Sequence, residues 1–92
     1  MKAPLIIAHR TCPLDAPENS LVGIGLAAEL GADAVEIDLR MSLDQRPFLM
    51  HDWTMRRTTD FPLPLELTPS PMVRRLRLQH TDEHIYSLAD AL

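Results

Sequence analysis

An α/β fold is the class this sequence predicts, on three observations. Residues 5–9 form a short apolar run of the kind buried in parallel sheets, apolar residues recur at helical spacing between Asn19 and Gly31, and residues 33–40 alternate sharply between apolar and polar. The first run, rich in Leu and Ile, is closed by His9 and Arg10 and reads as a strand. Residues 11–18 hold Pro13, Asp15 and Pro17 and read as a loop feeding a helix. Asn19 or Ser20 suits the N-cap, Leu21, Ile24 and Ala28 supply the apolar stripe, and Gly31 suits the C-terminal stop. Gly23 and Gly25 lower the intrinsic propensity of that helix. In the alternating stretch Val35, Ile37 and Leu39 point one way while Ala34, Glu36 and Asp38 point the other, so two acids share a strand face.

Residues 47–51 read as a third strand. The connection to it, residues 41–46, is too short for a crossover helix of usual length. Two arrangements are open: a compressed crossover, or an antiparallel hairpin, which the local sequence favours. After His51 come a polar loop, a stretch interrupted by Pro62, Pro64, Pro69 and Pro71, a helical turn near residues 70–76, and the start of a helix at residues 87–92.

Ninety-two residues make at most one domain, and 46% hydrophobic with 24% charged residues is an ordinary balance for a folded chain. A formal charge of -4 argues against nucleic acid as a partner, since phosphate-tracking surfaces need a net basic field. The apolar run before His9 is too short for a signal-peptide core or a membrane span, so no stable membrane insertion is expected. The single cysteine, Cys12, has no intrachain partner, which suits a reducing compartment, and the cytoplasm is the expected location.

The polar residues with chemical potential cluster at strand ends. His9 and Arg10 end the first strand, Glu36 and Asp38 lie late in the second, and His51 and Asp52 close the third. In open parallel sheets and barrels alike, loops converge at the carboxyl ends and build sites there. Two carboxylates two residues apart can share a hard cation such as Mg²⁺ or Ca²⁺. A histidine at a strand mouth suits proton transfer, and an arginine fork suits a phosphate. Each has an ordinary structural explanation taken alone: a solvated acid pair, a structural histidine, an exposed arginine. Their order and common placement carry the weight.

Other clusters carry less. His80 and His84 are four apart but have no third ligand. Arg74, Arg75 and Arg77 among Val73, Leu76 and Leu78 read as the wet side of a short helix. Arg56 and Arg57, with Thr58 and Thr59, form a polar loop able to approach an anion but needing no such role.

The ordered string Ile-Ala-His9-Arg10, Ala-Pro-Glu18-Asn19-Ser, Glu-Leu-Gly-Ala-Asp-Ala-Val-Glu36-Ile-Asp38, His51-Asp52 and Arg57-Thr-Thr closely resembles the glycerophosphodiester phosphodiesterase family. The resemblance implies a partial TIM (β/α) barrel, roughly its first three strands with their helices, forming one incomplete domain over residues 1–92. It implies that Glu36 and Asp38 bind the divalent cation, that His9 and His51 are the catalytic acid and base, that Arg10 binds the substrate phosphate, and that Glu18 and Asn19 shape the adjoining loop. The implied reaction is hydrolysis of a small-molecule glycerophosphodiester to glycerol 3-phosphate and an alcohol. Three positions depart from the family pattern: Thr11 and Gln45 stand where glycine is usual, and Tyr86 where proline is usual. A whole barrel takes roughly 250 residues. A chain of three strands is therefore expected to leave sheet edges open to self-association. A non-catalytic remnant and a phospholipase-type phosphodiesterase are the alternative readings.

Overall fold

The computed structural model describes residues 6–8 and 16–92. His9, Arg10 and Thr11 lie outside the described residues. Strand β1 (Ile7–Ala8) pairs in parallel with β2 (Ala34–Val35), and helix α1 (Leu21–Glu29) connects them, a short βαβ unit. Asp33 fastens the pair at its start: its Oδ2 accepts from the Ile6 amide at 2.8 Å, and its own amide donates to the Ile6 carbonyl at 2.7 Å.

Of the two candidate N-caps, Ser20 takes the role, its Oγ accepting from the Gly23 amide at 3.0 Å. Asn19 instead adopts a left-handed φ of 55° that turns the chain into the helix. Gly31, at φ 88°, ends the helix in the left-handed conformation the sequence anticipates. The described apolar side chains of the first run are not buried as expected. Ile6 and Ile7 are 59% and 60% exposed, because the core is built elsewhere in the chain.

Between β2 and β3 (Leu39–Met41) lie residues 36–38, which join the two two-stranded sheets. β3 then pairs antiparallel with β4 (Pro47–Leu49) in the register Leu39↔Leu49, Arg40↔Phe48, Met41↔Pro47. The hairpin, not the compressed crossover, is therefore the observed connection. Its turn is braced by Ser42, whose Oγ accepts from the Arg46 amide at 3.0 Å, and Gln45 takes the left-handed φ of 61° that a glycine would take freely.

Phe48 and Met50, two apart, enter one core with Met55, Leu65, Val73, Leu78 and Ile85. Leu49 between them is also buried, so β4 is covered on both faces. Prolines break the following segment into short pieces: α2 (Arg56–Thr59), a 3-10 turn (Leu65–Leu67) and α3 (Ser70–Val73). α3 stops earlier than the helical turn read from sequence, so Arg75 and Arg77 fall beyond it; Arg74 lies 5.6 Å over the Phe48 ring. Asp44 of the hairpin turn accepts from the Ser70 amide at 2.8 Å and so caps α3 from a distant part of the chain. His80 and His84 are not on a helix. They belong to a turn closed by the Arg77↔His84 bridge, which removes the helical chelating geometry. α4 (Leu88–Ala91) starts at Ser87 with a capping box completed by Asp90.

Candidate active site

Four of the residues singled out by sequence lie on segments stitched directly to one another. Asn19, 4% exposed, donates from Nδ2 to Asp38 Oδ2 at 3.3 Å and accepts the Asp38 amide on Oδ1 at 3.0 Å. The left-handed turn at Asn19 points its amide group across to the acidic segment, which explains why a non-glycine residue holds that conformation. On its other side, Asp38 accepts the Met50 amide on its carbonyl at 2.9 Å. His51 is the next residue, so the acid and the histidine lie on neighbouring strands' ends.

Glu36 and Asp38 occupy the link between β2 and β3, not one face of a continuous strand. Glu36 is exposed and Asp38 half-buried. Both are hard oxygen donors, and a Mg²⁺-type ion, which keeps several waters and takes one or two carboxylates, fits that donor set. Among the described residues, no group of three or more His, Cys, Asp or Glu side chains is arranged around a common point.

His51 is held from two sides. Its Nδ1 meets Asp52 Oδ1 at 2.7 Å, and its carbonyl accepts from Arg40 Nε at 3.1 Å. Arg40 in turn donates from Nη1 to Glu66 at 3.0 Å. Asp52 also accepts from Arg57 Nε at 2.7 Å and Arg57 Nη2 at 3.0 Å. The remaining edge of the Arg57 guanidinium grips Glu18, Nη1 to Oε1 at 2.7 Å and Nη2 to Oε2 at 2.9 Å. Hydrogen bonds from Arg57, and then from His51, hold the Asp52 carboxyl well below the usual carboxylate range. As a carboxylate Asp52 can only accept, so a hydrogen bond at this contact requires the proton on His51 Nδ1.

The sequence marks Asp52 as a strand-end acid and Arg57 as a base able to approach an anion, but does not reveal that the two are paired. The available signal was charge: an acid directly after His51, a base five residues further on, and Glu18 in the Pro-Glu-Asn-Ser loop. Helix α2 presents Arg57 because Met55, fully buried, anchors its start, while Gln79 Nε2 donates to the Arg56 carbonyl at 3.1 Å. A cleft lined by Pro17, Glu18, Arg57, Thr58, Leu78 and Gln79 opens at the same ion pair.

The sequence profile of the glycerophosphoryl diester phosphodiesterase family matches residues 9–89. The chain belongs to that family. Glycerophosphodiester phosphodiesterase 1 of Rattus norvegicus is 42% identical over 95 residues, a match that covers 94% of this chain and 28% of the relative. Among solved structures, an Oleispira antarctica phosphodiesterase in complex with the product sn-glycerol-3-phosphate superposes with a TM-score of 0.89 at 35% identity, covering 96% of this chain and 38% of that one. A glycerophosphodiester phosphodiesterase from Agrobacterium tumefaciens superposes with a TM-score of 0.88 at 30% identity, covering 94% of this chain and 40% of that one. The chain thus spans a little over a quarter of the rat relative's length and about two-fifths of either solved structure. For this phosphodiesterase-family chain, β1, α1, β2 and the β3–β4 hairpin form a partial TIM-barrel fold, matching part of the barrel of its solved relatives. Among its described residues, no helix is long and apolar enough to cross a membrane.

Proposed function

We propose that this chain serves metal-dependent hydrolysis of glycerophosphodiesters to glycerol 3-phosphate and an alcohol. The observation that carries the reading is the Asn19–Asp38–Met50 stitch, which sets an acidic segment beside the histidine that follows Met50. Family membership over residues 9–89 supports it, as does the product bound in the Oleispira relative.

In this reading Glu36 and Asp38 hold a divalent cation, Mg²⁺ or Ca²⁺. The ion, when bound, supplies positive charge against the phosphoryl oxygens. His51 exchanges a proton through Nε2, since Nδ1 is committed to Asp52. His9 is the second proton-transfer residue and Arg10 the phosphate fork, roles that rest on the family motif because both lie outside the described residues. In this scheme the substrate's own glycerol hydroxyl attacks phosphorus and expels the alcohol, which takes up a proton, and water then opens the resulting cyclic phosphodiester to glycerol 3-phosphate. We place the protein in the cytoplasm, as the unpaired-by-sequence Cys12 suggests, and expect copies of the chain to associate through the short, open β1–β2 sheet.

The test is release of glycerol 3-phosphate from glycerophosphocholine by the purified full chain. Turnover should vanish on adding a chelator and return with Mg²⁺ or Ca²⁺. Activity that persists undiminished after exhaustive chelation would contradict the metal-dependent reading.

A further inference from the structure

We infer that Arg57 is a positioning residue for His51: clamped against Glu18, its guanidinium fixes the Asp52 carboxylate so that the His51 proton stays on Nδ1 and Nε2 faces the chemistry. The inference rests on His51 as a proton-transfer residue, but its geometry stands independently of that role.

Asp52 Oδ1 serves His51 Nδ1 at 2.7 Å and Arg57 Nη2 at 3.0 Å at once, while Oδ2 serves Arg57 Nε at 2.7 Å. Rotating the carboxylate to release the histidine therefore breaks two charge-assisted bonds to the guanidinium as well. The guanidinium cannot follow such a rotation, because its other edge holds both oxygens of Glu18 at 2.7 and 2.9 Å. The Glu18 side chain is only 12% exposed, so it is a fixed abutment. Four N–H groups of one planar fork are used, a pattern that a lysine ammonium cannot reproduce.

Charge points the same way. Glu18 and Asp52 flank one cation. Without Arg57 the two carboxylates repel, and Asp52, 27% exposed, is drawn toward solvent. The His51 main chain would stay in place, since Arg40 holds its carbonyl separately. Loss of Arg57 should thus release the ring without releasing the strand end, an effect on orientation and tautomer more than on folding. The arrangement also ties the loop before α1 to α2 across 39 residues of sequence, so the order of one loop reaches the histidine of another.

The experiment is ¹⁵N imidazole NMR on the full chain, with the His51 ring signals assigned by their loss in His51→Asn. Wild type should show the Nδ1–H tautomer of His51. Arg57→Ala, at unchanged cooperative unfolding, should show exchange between both tautomers, and kcat for glycerophosphocholine should fall about 10–100-fold with KM little changed, the usual scale for a partner residue behind a functional histidine. Arg57→Lys, which keeps the charge and is the safer variant for folding, should recover only part of the tautomer preference. A His51 pattern identical to wild type in either variant would overturn the clamp. If the tautomer responds but His51→Asn leaves turnover intact, the clamp stands and the proton-transfer assignment of His51 fails.

Discussion

At the scale of single residues, the decisive feature is that side chains far apart in sequence share protons and charge. Asp52 is acidic beyond the ordinary carboxylate range because Arg57, and then His51, donate to it. A carboxyl depressed in the folded state contributes stability that is fully present above its unfolded pKa, near 4, and is lost as pH falls through the lower folded value. The stability difference between wild type and Asp52→Asn should therefore be constant at neutral pH and shrink below about pH 4. Denaturant melts across that range measure it, and a gap that ignores pH would mean the ion pair is not formed. The motif that holds Glu18 and Asn19 marks them in the sequence, and the structure shows Asn19 bonded to Asp38 and Glu18 to Arg57. The Arg57 fork was not, because no periodicity or spacing links residues 39 positions apart.

Individual elements show where local rules suffice. Ser20, Gly31 and Ser87 do what their types dictate at helix ends, and the alternation of residues 33–40 identifies an extended region correctly. Its subdivision into β2, a link and β3 was hidden, since the pairing partner changes from β1 to β4 along an unbroken pattern. That switch is what takes Glu36 and Asp38 out of ladder pairing and places them between two sheets. The hairpin turn carries a measurable cost. Gln45 holds φ 61°, a conformation that penalises a side chain by about 1–2 kcal/mol, partly offset by the entropy a glycine would lose on folding. Gln45→Gly should raise stability by about 0.5–1 kcal/mol in equilibrium unfolding, whereas a loss would show that the Gln45 side chain makes a compensating contact.

For the molecule as a whole, the core is built from the second half of the chain, while the site draws on both halves. The buried cluster runs from Phe48 to Ile85, while the segments around β1 and α1 contribute exposed apolar side chains such as Ile6, Ile7, Val22 and Leu30. Sequence reasoning placed a buried strand at residues 5–9 because composition reports the tendency to be covered, not the presence of a cover within the same 92 residues. Among the described residues no further strand pairs with the β1–β2 sheet, and we propose that apolar surface beside that edge makes contact with a second copy. Size-exclusion chromatography with light scattering should find a mass above that of the 10.4 kDa monomer, increasing with protein concentration. A concentration-independent monomer would contradict the expectation.

We propose that Glu36 and Asp38 hold a cation next to a separately supported histidine. Calorimetric titration of Mg²⁺ or Ca²⁺ into the full chain and its variants tests it most directly. Binding should be lost in Asp38→Asn and Glu36→Gln yet kept in His51→Ala, which should be devoid of turnover. Equal binding by the acid variants and wild type would contradict the account.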